Sequence, residues 1–336
     1  MAGWLQAAAV IALVGALHVP LGDYMARAFT ARRHWRVERV IYRLSGMDAE
    51  AGQPWPHYIR SLLATSVAGQ EWPYFVTYSH ALEEPGNLEV EFRGVQASPK
   101  YGNDFSSATI EFEYGATAWW TTEVYLSGQH TSNDSTVFNG YRWENRFRPL
   151  LREHFINPVL YVEYENLNKA DRSLLEVVGH DSISDLRLPN AESRSVTERE
   201  LELKLILSSN VRGWNISENF ISAKNLIEPE PWEFGYAFGV SRPLTLVAGS
   251  RDCVFCRENF SAGAEIYGGL GGLDGFGLKA TSHYAGPTVA FNIPRGPTVS
   301  FSSSFGLNAN SVGALYRFKV SYEFQQIFSH FHRRAK

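Results

Sequence analysis

The hydrophobic pattern of this chain changes its period near residue 70, and the two periods require different folds. Residues 5–17 are dominated by Ala, Val, Ile and Leu, a composition typical of a membrane helix. From Leu88 onward apolar and polar residues alternate, as they do in β-strands with two unlike faces. Membrane helices and long antiparallel β-structure normally belong to different classes of membrane protein. The sequence therefore predicts two parts, residues 1–69 and 72–328, and a basic tail at 329–336.

The composition narrows the range of functions. The chain carries 31 Lys and Arg against 35 Asp and Glu, a net charge of −4, so it has no basic excess of the kind that nucleic-acid binding requires. Aromatic residues make up 14% of the chain, and aromatic belts at the bilayer surface are typical of membrane β-barrels. The composition therefore favours a β-rich protein with the lipid bilayer as a partner and no nucleic-acid partner.

The alternation falls in segments of about ten residues, the length that a tilted membrane strand needs. The clearest segments are 88–93, 110–114, 120–126, 200–207 and 314–325. Counting similar segments, we predict a mainly β fold: an antiparallel closed barrel of the outer-membrane type with about twelve strands. One N-terminal transmembrane helix and a short amphipathic helical segment are expected to precede it. The pattern leaves open a soluble β-sandwich, whose apolar faces would meet in a dry core.

Turn-forming residues separate the predicted strands. Four such turns are Glu84–Asn87, Ser132–Ser135, Gly268–Gly272 and Pro294–Pro297. The polar stretch Leu167–Ser195 predicts a long loop on the outer face of the barrel, with a short helix from Ala170 to Val178. A strand-like stretch is expected at Phe276–Tyr284, and a final aromatic strand at Leu315–Phe328.

The apolar N-terminal stretch, Trp4–Leu21, is close to the length of a membrane span. The residues before it carry no positive charge, whereas signal peptides normally do. Arginines follow it at positions 27, 32, 33, 36 and 39, which places the following segment in the cytoplasm by the positive-inside rule. This part of the chain therefore indicates the inner membrane, although the β-rich part indicates the outer membrane.

Several motifs follow the apolar run in order: His18–Arg27 with its Pro-Leu-Gly-Asp-Tyr core, Val37–Gly46, and Gln53–Tyr58. This order resembles the start of the potassium-binding subunit of the Kdp-type potassium-transporting ATPase, over about a fifth of the chain. The resemblance implies a non-catalytic transport subunit with the other Kdp subunits as partners. The family's glycine-containing filter loops have no counterpart after Gly69. No filter residue is therefore carried over, and the segment is not expected to transport potassium alone.

Two kinds of candidate site remain. Cys253 and Cys256 are the two cysteines, and a single CxxC supplies half of a zinc site. A local disulfide or inert thiols in a loop are therefore favoured over a metal or redox role.

The pairs Glu111/Glu113 and Glu200/Glu202 place carboxylates on one strand face about 7 Å apart, a separation that could serve acid–base chemistry on sugars. Charges at alternate strand positions are better explained as the lining of a water-facing lumen. No hydrolase or phosphate-binding motif occurs. We therefore predict no catalytic residue, no metal site and no cofactor.

Two functions of different classes follow. The first part points to potassium transport, and the second to an outer-membrane barrel that acts as a passive pore for small solutes or ions, or as a scaffold. The parts would then have separate origins, joined by recombination or by misassembly of the sequence. Two alternatives stay open: a partial potassium-binding subunit with an unrelated C-terminal part, and a β-sandwich binding module tethered by one helix.

Overall fold

The computed structural model describes residues 72–99, 102–172, 188–246, 254–294 and 296–327. The chain divides into two units, Met1–Val67 and Ala68–Lys336, and all the described residues belong to the second. The predicted membrane helix at Trp4–Leu21, the amphipathic segment after it and the basic tail lie outside the described residues. In the part of the chain that is described, no helix is long and apolar enough to cross a membrane.

Twelve antiparallel strands form one closed sheet, in which each strand pairs with its neighbours in sequence and β1 pairs with β12. The strands are β1 (Leu88–Ala97), β2 (Phe105–Thr117), β3 (Trp120–Thr131), β4 (Thr136–Phe147), β5 (Asn157–Asn168), β6 (Thr197–Val211), β7 (Trp214–Asn225), β8 (Glu233–Pro243), β9 (Phe260–Gly272), β10 (His283–Asn292), β11 (Thr298–Gly306) and β12 (Ala314–Phe324). The prediction of a closed antiparallel barrel is confirmed. A β-sandwich would need two facing sheets, so that alternative is wrong.

The two faces of the sheet have opposite chemistry. Outward side chains such as Phe92, Ile110 and Leu205 are exposed, whereas inward ones such as Glu111 and Lys204 are buried. A soluble protein buries its apolar residues and exposes its charges. An apolar outside around a polar inside is the arrangement of a β-barrel surrounded by lipid. The described part of the chain is therefore a membrane protein.

The glycine run at Gly268–Gly272 was predicted as a turn, and that prediction is wrong. These residues form the end of β9, and β10 begins only at His283, so only the last two residues of the strand-like stretch expected at Phe276–Tyr284 are strand. Gly268 pairs with Tyr236 and Gly271 with Phe234. Aromatic side chains on the neighbouring strand can compensate for glycine within a sheet, which explains why this run continues the strand.

The long loop is confirmed, because the connection between β5 and β6 runs from residue 169 to 196. Of the helix predicted at Ala170–Val178, residues 170–172 are not helical, and the remainder lies outside the described residues. A four-residue helix, α1, lies at Asn190–Ser193. The last strand is also shorter than predicted, because β12 ends at Phe324.

The connections differ between the two ends of the barrel. The end where β1 begins and β12 ends has the tightest turns, at residues 118–119 and 212–213. The opposite end carries the longest connection, residues 169–196. In outer-membrane barrels the periplasmic turns are short and the extracellular loops are long. We call these the near end and the far end.

Candidate functional site

The segment before β1 runs inside the barrel. We call residues 72–84 the plug, because the side chains they contact face inward from several strands. The Tyr74 hydroxyl lies 2.9 Å from Asn215 Oδ1 on β7 and accepts a hydrogen bond of 2.9 Å from Ser241 on β8. Gly239 of β8 makes room for the ring, since a Cβ atom there would lie 2.6 Å from Tyr74 Cε1.

One carboxylate holds the centre of the plug. Glu265 of β9 accepts hydrogen bonds from three successive backbone N–H groups: Phe75 at 3.0 Å, Val76 at 2.9 Å and Thr77 at 2.7 Å. Glu265 is 3% exposed. Hydrogen bonds to an ionised acceptor are stronger than neutral ones, so this contact fixes the plug against the barrel wall. It also satisfies three backbone donors that would otherwise be buried without a partner.

Tyr78, the next plug residue, contacts both sides of the lumen. Asn219 of β7 binds both backbone groups of Tyr78, accepting from its N–H at 2.6 Å and donating to its carbonyl at 2.9 Å. The Tyr78 hydroxyl donates to Glu144 of β4 at 3.1 Å. Its ring lies under the Lys204 ammonium, 4.6 Å from Nζ to centroid, and meets Tyr161 edge to face. Tyr78 therefore spans the lumen from β7 to β4.

Apolar packing supports the plug at Phe75 and Val76. Phe75 and Val76 are 6% and 2% exposed and belong to one buried cluster with residues of β1, β2, β7–β10 and β12 and of the connection before β12. The remaining members of the cluster are Val95, Ala97, Phe105, Ile221, Ala237, Tyr267, Tyr284, Val312 and Leu315. Several of these lie at the far-end limits of their strands, so the plug reaches well into the barrel from the near end.

His80 anchors the plug at the near end. Its Nδ1 atom lies 2.8 Å from Ser208 Oγ on β6, and its Nε2 atom lies 3.0 Å from Glu153 Oε2. Glu153 belongs to the connection between β4 and β5. Partial burial alone would raise the pKa of the Glu153 carboxyl, but the hydrogen bond from His80, helped by Asn210 and Arg148, lowers that pKa below its usual range.

The inward faces of β1–β6 and β12 form a wall of ion pairs, which we call the charged wall. Arg146 of β4 contacts three carboxylates: Glu113 at 2.6 Å, Glu144 at 3.0 Å, and Glu123. Arg93 of β1 contacts Glu111 at 2.8 Å. Further pairs are Arg93–Glu91, Lys319–Glu91, Arg142–Glu163, Arg142–Glu165, Arg142–Asp171 and Lys204–Glu202.

The inward faces of β7–β11 form a second wall with different chemistry, which we call the neutral wall. Its buried polar side chains are mostly small hydroxyls and amides, and Glu265 is its one buried carboxylate among the described residues. The hydroxyls include those of Ser217, Ser241, Ser261, Thr288, Ser300, Ser302 and Ser304. The lumen is therefore divided lengthwise into a charged half and a neutral half.

The structure places the predicted acidic pairs on the inner wall. Glu111 and Glu113 face the lumen, and their carboxylates lie within 4.8 Å of that of Glu123. Arg93 and Arg146 already contact this group, as expected for a lumen lining. Glu202 is also inward and buried, paired with Lys204 at 2.9 Å.

The structure also records one of the two cysteines. Cys256 is disulfide-bonded and lies directly before the short 3-10 turn at Arg257–Asn259. Cys253 lies outside the described residues.

The plug was not predicted from the sequence. Its one available signal is the aromatic, non-alternating stretch Trp72–Tyr78, which lies ahead of the first regular strand. A run of Trp, Tyr and Phe without period two has no place on a lipid-facing strand, so it needs burial elsewhere.

These features define a class: a membrane β-barrel with twelve strands and a lumen filled by its own N-terminal flanking segment. Comparisons with known proteins address the two parts of the chain separately. Residues 8–89 match the family model described as Potassium-transporting ATPase A subunit. The match continues 20 residues beyond Gly69, through the plug and into β1.

Individual relatives agree with this match. The potassium-binding subunit of the potassium-transporting ATPase from Frankia alni is 51% identical over 67 residues, which cover 20% of this chain and 11% of that protein. Its counterpart from Streptomyces coelicolor is 43% identical over 68 residues, covering 20% and 12%. The chain thus spans about a tenth of the length of the curated relatives that it matches.

Solved structures of an outer membrane channel and of a porin align with the barrel. An outer membrane channel from Pseudomonas putida F1 aligns over 76% of this chain and 100% of its own, with 10% identity and a TM-score of 0.46. The KdgM porin aligns over 70% and 99%, with 7% identity and a TM-score of 0.45.

Proposed function

We propose that the barrel is an outer-membrane channel for small polar solutes or ions and that the plug holds it closed at rest. The observation that carries this proposal is the bonding of the plug. Its backbone is bound by Glu265 and Asn219 through polar contacts within the lumen. Water can take the place of these partners, at a cost of about 1.5–3 kcal/mol for each hydrogen bond to the carboxylate, and none of these bonds belongs to the strand pairing, so the plug can leave without unfolding the barrel.

The closed sheet supports the same proposal. Every strand has two hydrogen-bonded neighbours, so the barrel has no edge that departure of the plug would expose. The polar side chains of both walls would then line a water-filled passage, as they do in porins. Their burial in this structure is consistent with a closed state, since Glu144, Ser241 and Ser300 are all 0% exposed.

The geometry also supports an orientation. The tight turns at residues 118–119 and 212–213 lie at the near end, which corresponds to the periplasmic side of an outer-membrane barrel. The long connection at 169–196 would face the outside of the cell. The plug would therefore enter the barrel from the periplasm.

The N-terminal match favours a second candidate function for residues 8–89. Identity of 51% over 67 residues to a potassium-binding subunit supports a role beside the other subunits of a Kdp-type pump in the inner membrane. The segment corresponds to 11% of that protein, so we do not expect it to transport potassium alone. Membrane fractionation of the full-length chain separates the two candidates: recovery with the outer membrane supports the channel, and recovery with the inner membrane supports the pump-associated role.

Conductance tests the channel directly. The full-length chain is reconstituted into planar lipid bilayers, alone and as the double variant Glu265→Ala with Asn219→Ala, which removes both polar anchors of the plug backbone. We expect low conductance from the unaltered chain and stable open channels from the double variant. Glu218→Ala is the matched control, because this glutamate is exposed on the outer face of β7 and should leave the channel closed. A folded double variant without conductance would refute the channel.

A further inference from the structure

Glutamates form a continuous row around the charged wall. In the strand register Glu89 pairs with Glu323 and with Glu113, and the row continues through directly paired glutamates as far as β6. Its seven members, in order from β12 to β6, are Glu323, Glu89, Glu113, Glu123, Glu144, Glu163 and Glu202. The row thus crosses seven of the twelve strands at one level.

The cations on this wall do not balance its carboxylates. The ion pairs described above join five basic side chains to nine acidic ones, an excess of four carboxylates. Arg142 and Arg146 each contact three carboxylates. Like charges placed directly opposite each other on neighbouring strands are destabilising, so this excess needs a reason beyond packing.

A separate observation shows buried polar atoms without partners on both walls. Thr121 of β3 is 0% exposed and lies in register with Arg146, and its hydroxyl has no hydrogen-bond partner among the described residues. On the facing neutral wall the buried hydroxyls of Ser261, Thr288 and Ser300 likewise have no partner there. Hydroxyl oxygens accept contacts from hydrated cations as carboxylates do.

We propose that the open channel selects small cations over anions. This inference rests on the proposed function, and it assigns the class of solute to that channel. The glutamate row supplies a negative ring at one level of the lumen, which attracts cations and repels anions. The hydroxyls of the opposite wall supply neutral oxygens that can exchange with the hydration shell of a passing ion without binding it tightly.

The reversal potential of the open channel tests this inference. The full-length Glu265→Ala/Asn219→Ala variant is placed in a bilayer with KCl at two concentrations. We expect a reversal potential of the sign given by K⁺ selectivity, with a K⁺ to Cl⁻ permeability ratio of about ten or more, since a lumen with an excess of one sign of charge concentrates counter-ions by that order. A ratio near one, or a preference for Cl⁻, would overturn the inference and leave the channel intact. Absence of conductance would overturn both.

A second pair of variants ties the selectivity to the row. Glu123→Gln with Glu144→Gln, in the same background, halves the excess of carboxylates but leaves Arg146 its contact with Glu113 at 2.6 Å. We expect the permeability ratio to fall several-fold. Glu218→Gln in that background is the matched control on the outer face and should leave the ratio unchanged. Equal ratios in the two would show that the row does not set selectivity. Circular dichroism confirms that each variant has folded as β-structure.

Discussion

The two walls of the lumen are built from one sheet but by opposite means. On the charged wall each buried carboxylate described above lies beside a basic side chain, and single arginines serve several acids at once. On the neutral wall small hydroxyls and amides predominate, and the one buried carboxylate, Glu265, has backbone amides of the plug as its partners.

The difference shows why the plug is anchored where it is. A carboxylate that already has a guanidinium partner gains little from a backbone N–H group, whereas Glu265 depends on the plug for its hydrogen bonds. Asn219, on the same wall, offers both a donor and an acceptor to Tyr78. The charged wall therefore stabilises the barrel, and the neutral wall supplies the side-chain partners of the plug backbone from Phe75 to Tyr78.

The largest expected effect tests whether the charged wall stabilises the barrel. Arg146→Met removes the shared partner of Glu113, Glu123 and Glu144 and leaves buried carboxylates uncompensated. We expect the free energy of unfolding to fall by about 3–5 kcal/mol, the usual cost of breaking a buried charge pair from one side. Denaturant unfolding from lipid vesicles measures it.

The matched change on the neutral wall is Ser300→Ala. The Ser300 hydroxyl is buried without a described hydrogen-bond partner, so its removal should be neutral or slightly stabilising. Similar losses in the two variants would mean that the walls do not differ in their contribution to stability.

The next largest effect tests whether Glu265 of the neutral wall holds the plug backbone. Glu265→Ala removes the acceptor for the N–H groups of Phe75, Val76 and Thr77. Each hydrogen bond to a charged group contributes about 1.5–3 kcal/mol, so we expect hydrogen exchange at these three amides to accelerate at least about tenfold. Exchange in the strands should stay slow. Mass spectrometry of peptides covering residues 72–84 provides the measurement, and unchanged exchange there would show that Glu265 does not hold the plug.

A smaller effect should follow from crowding the plug without altering its polar anchors. Gly239→Ala places a Cβ atom 2.6 Å from Tyr74 Cε1 and 3.0 Å from Thr77 Cγ2, so the plug must shift. Overpacking of this kind costs about 1–3 kcal/mol. We expect partial opening in bilayer recordings.

Adding Tyr74→Ala to that variant removes the ring that clashes. If the contact is the cause, the double variant should behave like Tyr74→Ala alone, as a double-mutant cycle requires for coupled residues. Additive effects would mean that Gly239 acts elsewhere.

Much of the barrel could be predicted because its signal is local. Strict alternation, as in Leu88–Arg93, fixes both the strand and the chemistry of its two faces, and turn residues such as those at Ser132–Ser135 mark the boundaries. The glycine run at Gly268–Gly272 misled the prediction because its strand conformation depends on Phe234 and Tyr236 of another strand. Such tertiary context is invisible to a local pattern.

The site was less predictable, because its parts are far apart in sequence. The lining role of Glu111 and Glu113 follows from alternation alone. The plug does not, since Val76 and Glu265 are separated by 189 residues and meet only when the sheet closes. The glutamate row likewise depends on the register of successive strands, and a shift of one residue would reverse the face on which each side chain lies.

The smallest expected effect is a response to acid at the near end. Because the pKa of Glu153 is lowered by its contact with His80, this contact stabilises the bound plug above the carboxyl's ordinary pKa. That contribution is lost as pH falls through the lowered pKa in the folded state. Glu153 is half exposed, so the effect should be modest. We expect the open probability to rise as the solution is acidified from pH 5 to about 3, and to rise less in Glu153→Gln, which cannot lose a charge. An identical acid response in this variant would place the pH sensitivity in the charged wall, whose glutamates would then open the lumen directly.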